Sequence, residues 1–200
     1  EEIDTSEFVG AKIGRADRIE DARGRYIEYV KSSISNRSLD GLKVVLDCAN
    51  GAAYHIAKFI LKELGAEVIV LNASPDGLNI NSNCGAMHPE VISAAVLEHN
   101  ADCGIALDGD ADRIIMCDEL GNVLDGDFIV AIAAKALKDA GKLHLNTVVR
   151  TVMVNMGFVA AMKDIGVTVV QTPVGDKHVL AKMREGQFSL GGEQSGHIAF

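Results

Sequence analysis

Six residues, Asp108-Gly-Asp-Ala-Asp-Arg113, put three carboxylates at alternate positions with an arginine directly behind them. They lie between two apolar runs in the stretch GIALDGDADRIIMCD, residues 104–118. Like charges this close repel unless something cationic sits among them, so a bound metal ion is the first chemistry to consider. Alternate residues of an extended segment project to one side, which lets Asp108, Asp110 and Asp112 converge while Gly109 and Ala111 keep the turn uncrowded. Hard oxygen ligands in this number suit Mg²⁺ or Ca²⁺ far better than zinc. The spacing imitates part of an EF-hand, with Glu119 at the twelfth position, but Arg113 stands where that turn needs glycine and strands replace the flanking helices. A phosphatase using the first Asp of a D-x-D pair as nucleophile would need a Thr shortly afterwards, which is missing. A solvated turn without a ligand is the plain alternative, yet the cluster stands at the carboxyl end of an expected parallel strand, where open α/β sheets bind ligands. Carboxylate-held Mg²⁺ leaves positions for a phosphate oxygen, and Arg113 can complement phosphoryl charge, so the loop suits phosphoryl transfer but carries no nucleophile of its own.

A second group, Gly191-Gly-Glu-Gln-Ser-Gly-His197, packs a carboxylate, an amide, a hydroxyl and an imidazole into a glycine-rich turn. Glycines allow close backbone approach to a ligand, and Glu193 with Ser195 can grip neighbouring sugar hydroxyls. The bland reading is an ordinary polar turn. Thr172-Pro-Val-Gly-Asp-Lys177 forms a third polar loop, in which Asp176 can cap the helix that follows.

The elements that must position these loops alternate in type. Apolar residues at Ile19, Ala22, Tyr26 and Val30 predict a helix over about 17–34. Residues 42–47 read as a strand, Ala53, Ile56, Ala57, Ile60, Leu61 and Leu64 as one helical stripe ended by Gly65, and 67–71 as a second strand. Pro89 and Glu90 start a helix running to about Asn100, and residues 101–107 form the strand that delivers the aspartates. Residues 114–118 and 123–124 read as a hairpin, followed by an Ala-rich helix capped by Asp127 and ending near Gly141. The plan then repeats: a strand over 147–154, a helix over 155–164 with Met156, Val159 and Ala160 on one side, and a strand over 167–171. The expected fold is therefore α/β, two tandem related domains, each a mainly parallel (mixed) sheet flanked by helices. The cut is placed at residue 120, giving domains over 1–120 and 121–200 that pack closely because no flexible linker separates them.

Composition limits the rest. Of 200 residues, 48% are hydrophobic and the net charge is −9 with no basic block, so no nucleic-acid surface is expected. Cys48, Cys84, Cys103 and Cys117 form no C-x-x-C pair and read as buried, reduced thiols, which suits a cytoplasmic location. No apolar run reaches the roughly 20 residues of a membrane span, and the charged start Glu1-Glu2-Ile3-Asp4 is no signal peptide. The chain lacks an initiator Met and stops at His197-Ile-Ala-Phe200 as a strand begins, so it reads as an excised piece.

DGDADR (108–113) and GEQSGH (192–197) together resemble the metal-binding and sugar-binding loops of the α-D-phosphohexomutase family, over about Ile13 to Phe200. Within it, NINSNCGAMHPE (79–90), TVMVNMG (151–157) and PVGDKHVL (173–180) look more like the branch acting on glucosamine phosphates than the phosphomannomutase/phosphoglucomutase branch. The resemblance implies a four-domain enzyme of which this chain is the second domain and most of the third, without the phosphoserine loop of the first domain or the phosphate-gripping loop of the fourth. It implies that Asp108, Asp110 and Asp112 hold Mg²⁺ and that Arg113 balances charge as the phosphoryl group moves. Glu193 and Ser195, supported by Lys177 and His197, would bind the hexosamine phosphate. The 200 residues alone would then be inactive for want of the phosphoserine. A metal- or sugar-binding module without chemistry is the competing class.

Overall fold

A computed structural model of the chain describes residues 14–34 and 37–200. The charged start Glu1–Asp4, and Ile13, from which the family resemblance is drawn, lie outside them. The chain divides into two units, Glu1–Asn36 and Arg37–Phe200. In the first, α1 spans Ala22–Ser32, shorter than expected, and buries Ile27, whereas Ile19 and Tyr26 of the expected stripe are exposed.

The second unit contains two sheets. Val, Ile and Leu build the first from β1 (Lys43–Asp47), β2 (Glu67–Leu71), β3 (Cys103–Leu107), β4 (Ile114–Asp118) and β5 (Val123–Leu124), in the order β2-β1-β3-β4-β5. The β1 pairs with β2 and β3 are parallel, and β4 returns antiparallel to β3. The second sheet runs β7-β6-β8-β9, from β6 (Thr147–Thr151), β7 (Thr168–Thr172), β8 (Gly191–Gly192) and β9 (Ile198–Ala199), again with two parallel pairs and an antiparallel return. The duplicated plan read from the sequence is thus present strand for strand through the fourth position. The hairpin in which the sequence places its domain cut pairs entirely into the first sheet, through Leu124.

Helices cover these sheets. The helix α2 (Ala57–Glu63) is preceded by a 3₁₀ turn, Ala52–His55, so the expected single stripe is broken at Ile56. The cause lies upstream: Ala49 and Asn50 leave β1 in left-handed conformation (φ 52° and 48°), and the Ala52 N–H donates to the Gly109 carbonyl at 2.8 Å. That tight exit leaves no room for a regular first turn. The helix α3 (Pro89–His99) starts on its proline and stops at Asn100 in left-handed conformation, as its sequence signals. Ile92, Ala95 and Val96 of α3 pack on Val45, Ala106 and Cys117 as the first core.

In the second half, α4 (Gly126–Asp139), α5 (Met156–Asp164) and α6 (Asp176–Gly186) flank the sheet. Asp125, not Asp127, caps α4, accepting from the Asp127 and Phe128 N–H groups. Asp127 is drawn inward instead, where its carboxylate meets Arg150 and the Asn155 N–H. The buried face of α5 is Phe158 and Met162, while Met156 is exposed. The aromatic ring carries the larger apolar area and so sets the helix's rotation. Asp176 is the first residue of α6 and makes no cap; Gly175 holds that position.

The four cysteines are free; Cys48, Cys84 and Cys117 are buried and Cys103 partly so. Burial, reinforced by Asp47, pushes the Cys48 thiol up to about 11, and burial likewise pushes Cys117 up to about 11. In the folded protein at pH 8, iodoacetamide should leave Cys48 and Cys117 unmodified, and in urea it should alkylate all four, as read by mass spectrometry. Because these thiols lose their protons near 9 when unfolded and near 11 when folded, each removes stability as pH rises through that window, by roughly 1.4 kcal/mol per pH unit. Urea unfolding at pH 9 and pH 10 measures the slope.

Candidate functional site

The turn between β3 and β4 holds the three aspartates. Asp108 is buried to 1% exposure at the strand end, and Asp110 and Asp112 are exposed. The Ala111 N–H closes on the Asp108 carbonyl at 3.1 Å, with Ala111 at φ 63°. Convergence is therefore produced by a tight turn and not by the extended alternation expected from the sequence. One carboxylate oxygen from each of Asp108, Asp110 and Asp112 lies within 4.8 Å of the others. Among the described residues, no other group of three or more His, Cys, Asp or Glu is so placed.

Arg113 locks the buried member. Its Nε donates to Asp108 Oδ2 at 2.7 Å, its backbone N–H donates to Oδ1 at 3.1 Å, and the same Nε stands 3.8 Å from Asp112 Oδ1. Burial acts to raise the Asp108 carboxyl, but the side-chain and backbone hydrogen bonds from Arg113 and its charge together hold it below the usual carboxylate range. That contribution to stability is present above the unfolded Asp value and is lost as pH falls through the folded one. Beneath the turn, Asp47 is wholly buried and accepts from the Ala49 N–H (2.8 Å), the Gly85 N–H (2.9 Å) and Asn72 Nδ2 (2.9 Å). It ties three loops under the cluster. Gly51 presses on this turn so closely that a Cβ would stand 2.2 Å from the Gly109 carbonyl oxygen.

The second loop leaves the second sheet at the corresponding place, between β8 and β9. The glycine pair that the sequence reads as following a strand is itself the strand, wedged against Val130, Val179 and Met183. The Glu193 N–H donates to the His197 carbonyl at 2.8 Å, and Gly196 turns at φ 103°. Glu193 is buried; its Oε1 accepts from the Gly175 N–H at 2.9 Å and its Oε2 lies 3.2 Å from His197 Nδ1. Ser195 is exposed, with Oγ 3.2 Å from the same nitrogen.

His197 joins the two loops. Its Nε2 is 3.2 Å from Asp112 Oδ2, and nearby the Ile114 N–H donates to the Gly196 carbonyl at 3.1 Å. Asp112, Asp176, Glu193 and His197 then line a cavity of about 170 Å³ with Val179 and Ile198 on its apolar side. The structure thus brings together Asp108, Asp110, Asp112, Arg113, Glu193, Ser195 and His197. Lys177 is exposed in the first turn of α6, two residues from Gly175, whose N–H donates to Glu193. Sequence reasoning missed the anchors. Asp47 and Arg150 carry no motif, and Gly175 lies in the quoted PVGDKHVL stretch without a role assigned to it, although a lone arginine inside the β-branched run Thr147-Val-Val-Arg-Thr151 is a visible anomaly.

A duplicated α/β unit with an acidic metal-type turn in one copy and a Glu-Ser-His turn in the other defines the class. Residues 24–121 match the family model of phosphoglucomutase/phosphomannomutase alpha/beta/alpha domain II, and residues 125–200 match that of domain III; the chain belongs to this family. A phosphoglucosamine mutase of Citrifermentans bemidjiense is 53% identical over 99% of the chain, and one of Chlamydia felis is 53% identical over 94%. The chain spans 44% and 41% of those relatives' lengths. A solved phosphoglucomutase/phosphomannomutase family protein of Burkholderia thailandensis superposes with a TM-score of 0.76 at 27% identity, covering 88% of this chain and 38% of its own. Among the described residues, no helix is long and apolar enough to cross a membrane.

Gly51→Ala should destabilise the chain by roughly 2–4 kcal/mol in urea unfolding, because the clash is with backbone that no rotamer can relieve.

Proposed function

We propose that these residues are the metal-loop and sugar-loop portion of a phosphoglucosamine mutase, which interconverts glucosamine 6-phosphate and glucosamine 1-phosphate. The observation that carries the reading is the His197 bridge, which sets a three-carboxylate turn beside a Glu-Ser turn in a chain about half identical to enzymes of that name. The division into domains over 1–120 and 121–200 belongs to the same reading and is supported by the two sheets and by separate family matches over 24–121 and 125–200.

The donor set fits a hard divalent cation: all-oxygen, three carboxylates, two of them open to solvent. Asp108, Asp110 and Asp112 would hold Mg²⁺, which when bound neutralises phosphoryl charge and orients the transfer. Arg113 keeps Asp108 ionised and in place through Nε, and its half-buried guanidinium, with Nη1 3.8 Å from Met87 Sδ, would balance charge on a phosphoryl oxygen. Glu193, with one oxygen fixed by Gly175 and the other beside His197, accepts from ring hydroxyls, and exposed Ser195 donates or accepts beside it. Lys177 and His197 support the sugar and its phosphate. A phosphoserine supplied outside these 200 residues would give its phosphoryl group to the hexosamine phosphate. The resulting bisphosphate turns over, and its other phosphoryl group returns to the serine. Recognition of hydroxyls away from both phosphate positions is what allows the sugar to bind both ways round.

In the full-length enzyme, Asp110→Asn is expected to weaken Mg²⁺ binding about tenfold or more and to lower kcat with little change in KM, measured by metal titration and steady-state kinetics. A hexose phosphate panel checks the substrate: kcat/KM should be highest for glucosamine phosphates. Higher values for mannose or glucose phosphates would move the protein to the neighbouring branch, and no turnover of any would support a binding module.

A further inference from the structure

Arg150 is 0% exposed on β6, an inner strand of the second sheet, and its Nε and Nη1 find no hydrogen-bond partner among the described residues. Its Nη2 meets Asp127 Oδ1, and its guanidinium carbon lies 4.8 Å from the Phe158 ring centroid. Enclosing a guanidinium with two unfilled nitrogens is a poor route to stability, since apolar residues of similar volume serve such a position as well or better. The contacts around the pair show a different use. Asp127 Oδ2 accepts from the Asn155 N–H at 2.9 Å, fixing the start of α4 against the loop after β6. One residue earlier, the Gly126 N–H donates to the Gln194 carbonyl at 3.0 Å, and a Cβ on Gly126 would stand 1.9 Å from the Glu193 carbonyl oxygen. Asp125, which caps α4, also accepts from Gln194 Nε2 at 3.0 Å. On the other side, Arg150 pairs in register with Gly192, the residue before Glu193. The contacts close a ring from Arg150 through Asp127, Gly126 and Gln194 to Gly192 and back.

We propose that Arg150, acting through Asp127, is a positioning residue that sets where the 193–197 turn, and with it the Glu193 carboxylate, stands in the site. This rests on the reading that Glu193 binds the sugar. Arg150 touches no substrate; it works through the start of α4.

The test uses the full-length enzyme with four variants: Glu193→Gln, Asp127→Asn, Arg150→Lys, and Asp127→Leu combined with Arg150→Met. The double variant replaces the pair by apolar residues and should keep its thermal midpoint within a few degrees. Its KM for the hexose phosphate should rise at least tenfold and its Mg²⁺ midpoint less than twofold, and amide exchange at Glu193 and Gly196 should quicken at least tenfold. Asp127→Asn should show the same pattern more weakly, and it decides the matter if the double variant does not fold. Arg150→Lys, which keeps the charge but loses the fork, should recover part of the KM. Unchanged KM and exchange in the 127 and 150 variants, with KM raised in Glu193→Gln, overturn the positioning role alone. An equal shift of the Mg²⁺ midpoint also overturns it, since that marks general loosening. If Glu193→Gln leaves KM unchanged, the sugar-binding reading falls and this inference with it.

Discussion

Three carboxylate oxygens within 4.8 Å of one another repel by roughly 3 kcal/mol per pair at an effective dielectric near 20, and less where solvent screens them. The surroundings of the aspartate turn answer that constraint. Only Asp108 is removed from water, and it alone receives two hydrogen bonds from Arg113. Asp110 and Asp112 remain exposed, where water lowers the cost of proximity. The backbone beneath is pinned by Asp47 and by glycines at 51 and 85, so the turn cannot relax by spreading. The geometry that suits a cation is thus held in advance, by groups other than the ligands themselves.

The same logic organises the second turn with different chemistry. Glu193 is buried but spends its oxygens on a backbone N–H and an imidazole, and the turn is braced from α4 by Gln194 and Gly126. His197 and the Ile114 N–H then set the two turns side by side. Each sheet presents its turn at the junction of its last parallel pair and its antiparallel return, the edge at which α/β sheets collect ligands.

Much of this was legible in the residues. DGDADR declared a cluster because three acids and an arginine at that spacing have few other uses, and strands such as Glu67–Leu71 were plain from β-branched runs bounded by glycine and asparagine. What escaped depended on partners distant in sequence. Asp127 is a good cap on paper, but Arg150 and the Asn155 N–H draw it inward and leave the cap to Asp125. Ile56 fits a helical stripe, but the close approach of residues 51–52 to Gly109 breaks that helix. The sequence leaves the rotation of α5 open, because Met156 and Phe158 are both apolar and packing volume decides between them.

The two turns rest on separate hydrophobic cores, one built on β1, β3 and α3 and the other on β6, α4 and α5. Between them run the approach of α4 to β4 and β5 and the hydrogen bonds that His197 and the Ile114 N–H make across the two turns. The turns thus meet at their rims, so a change of letter at 197 is felt at once by Asp112, whereas one deep in either core reaches the opposite turn only at second hand.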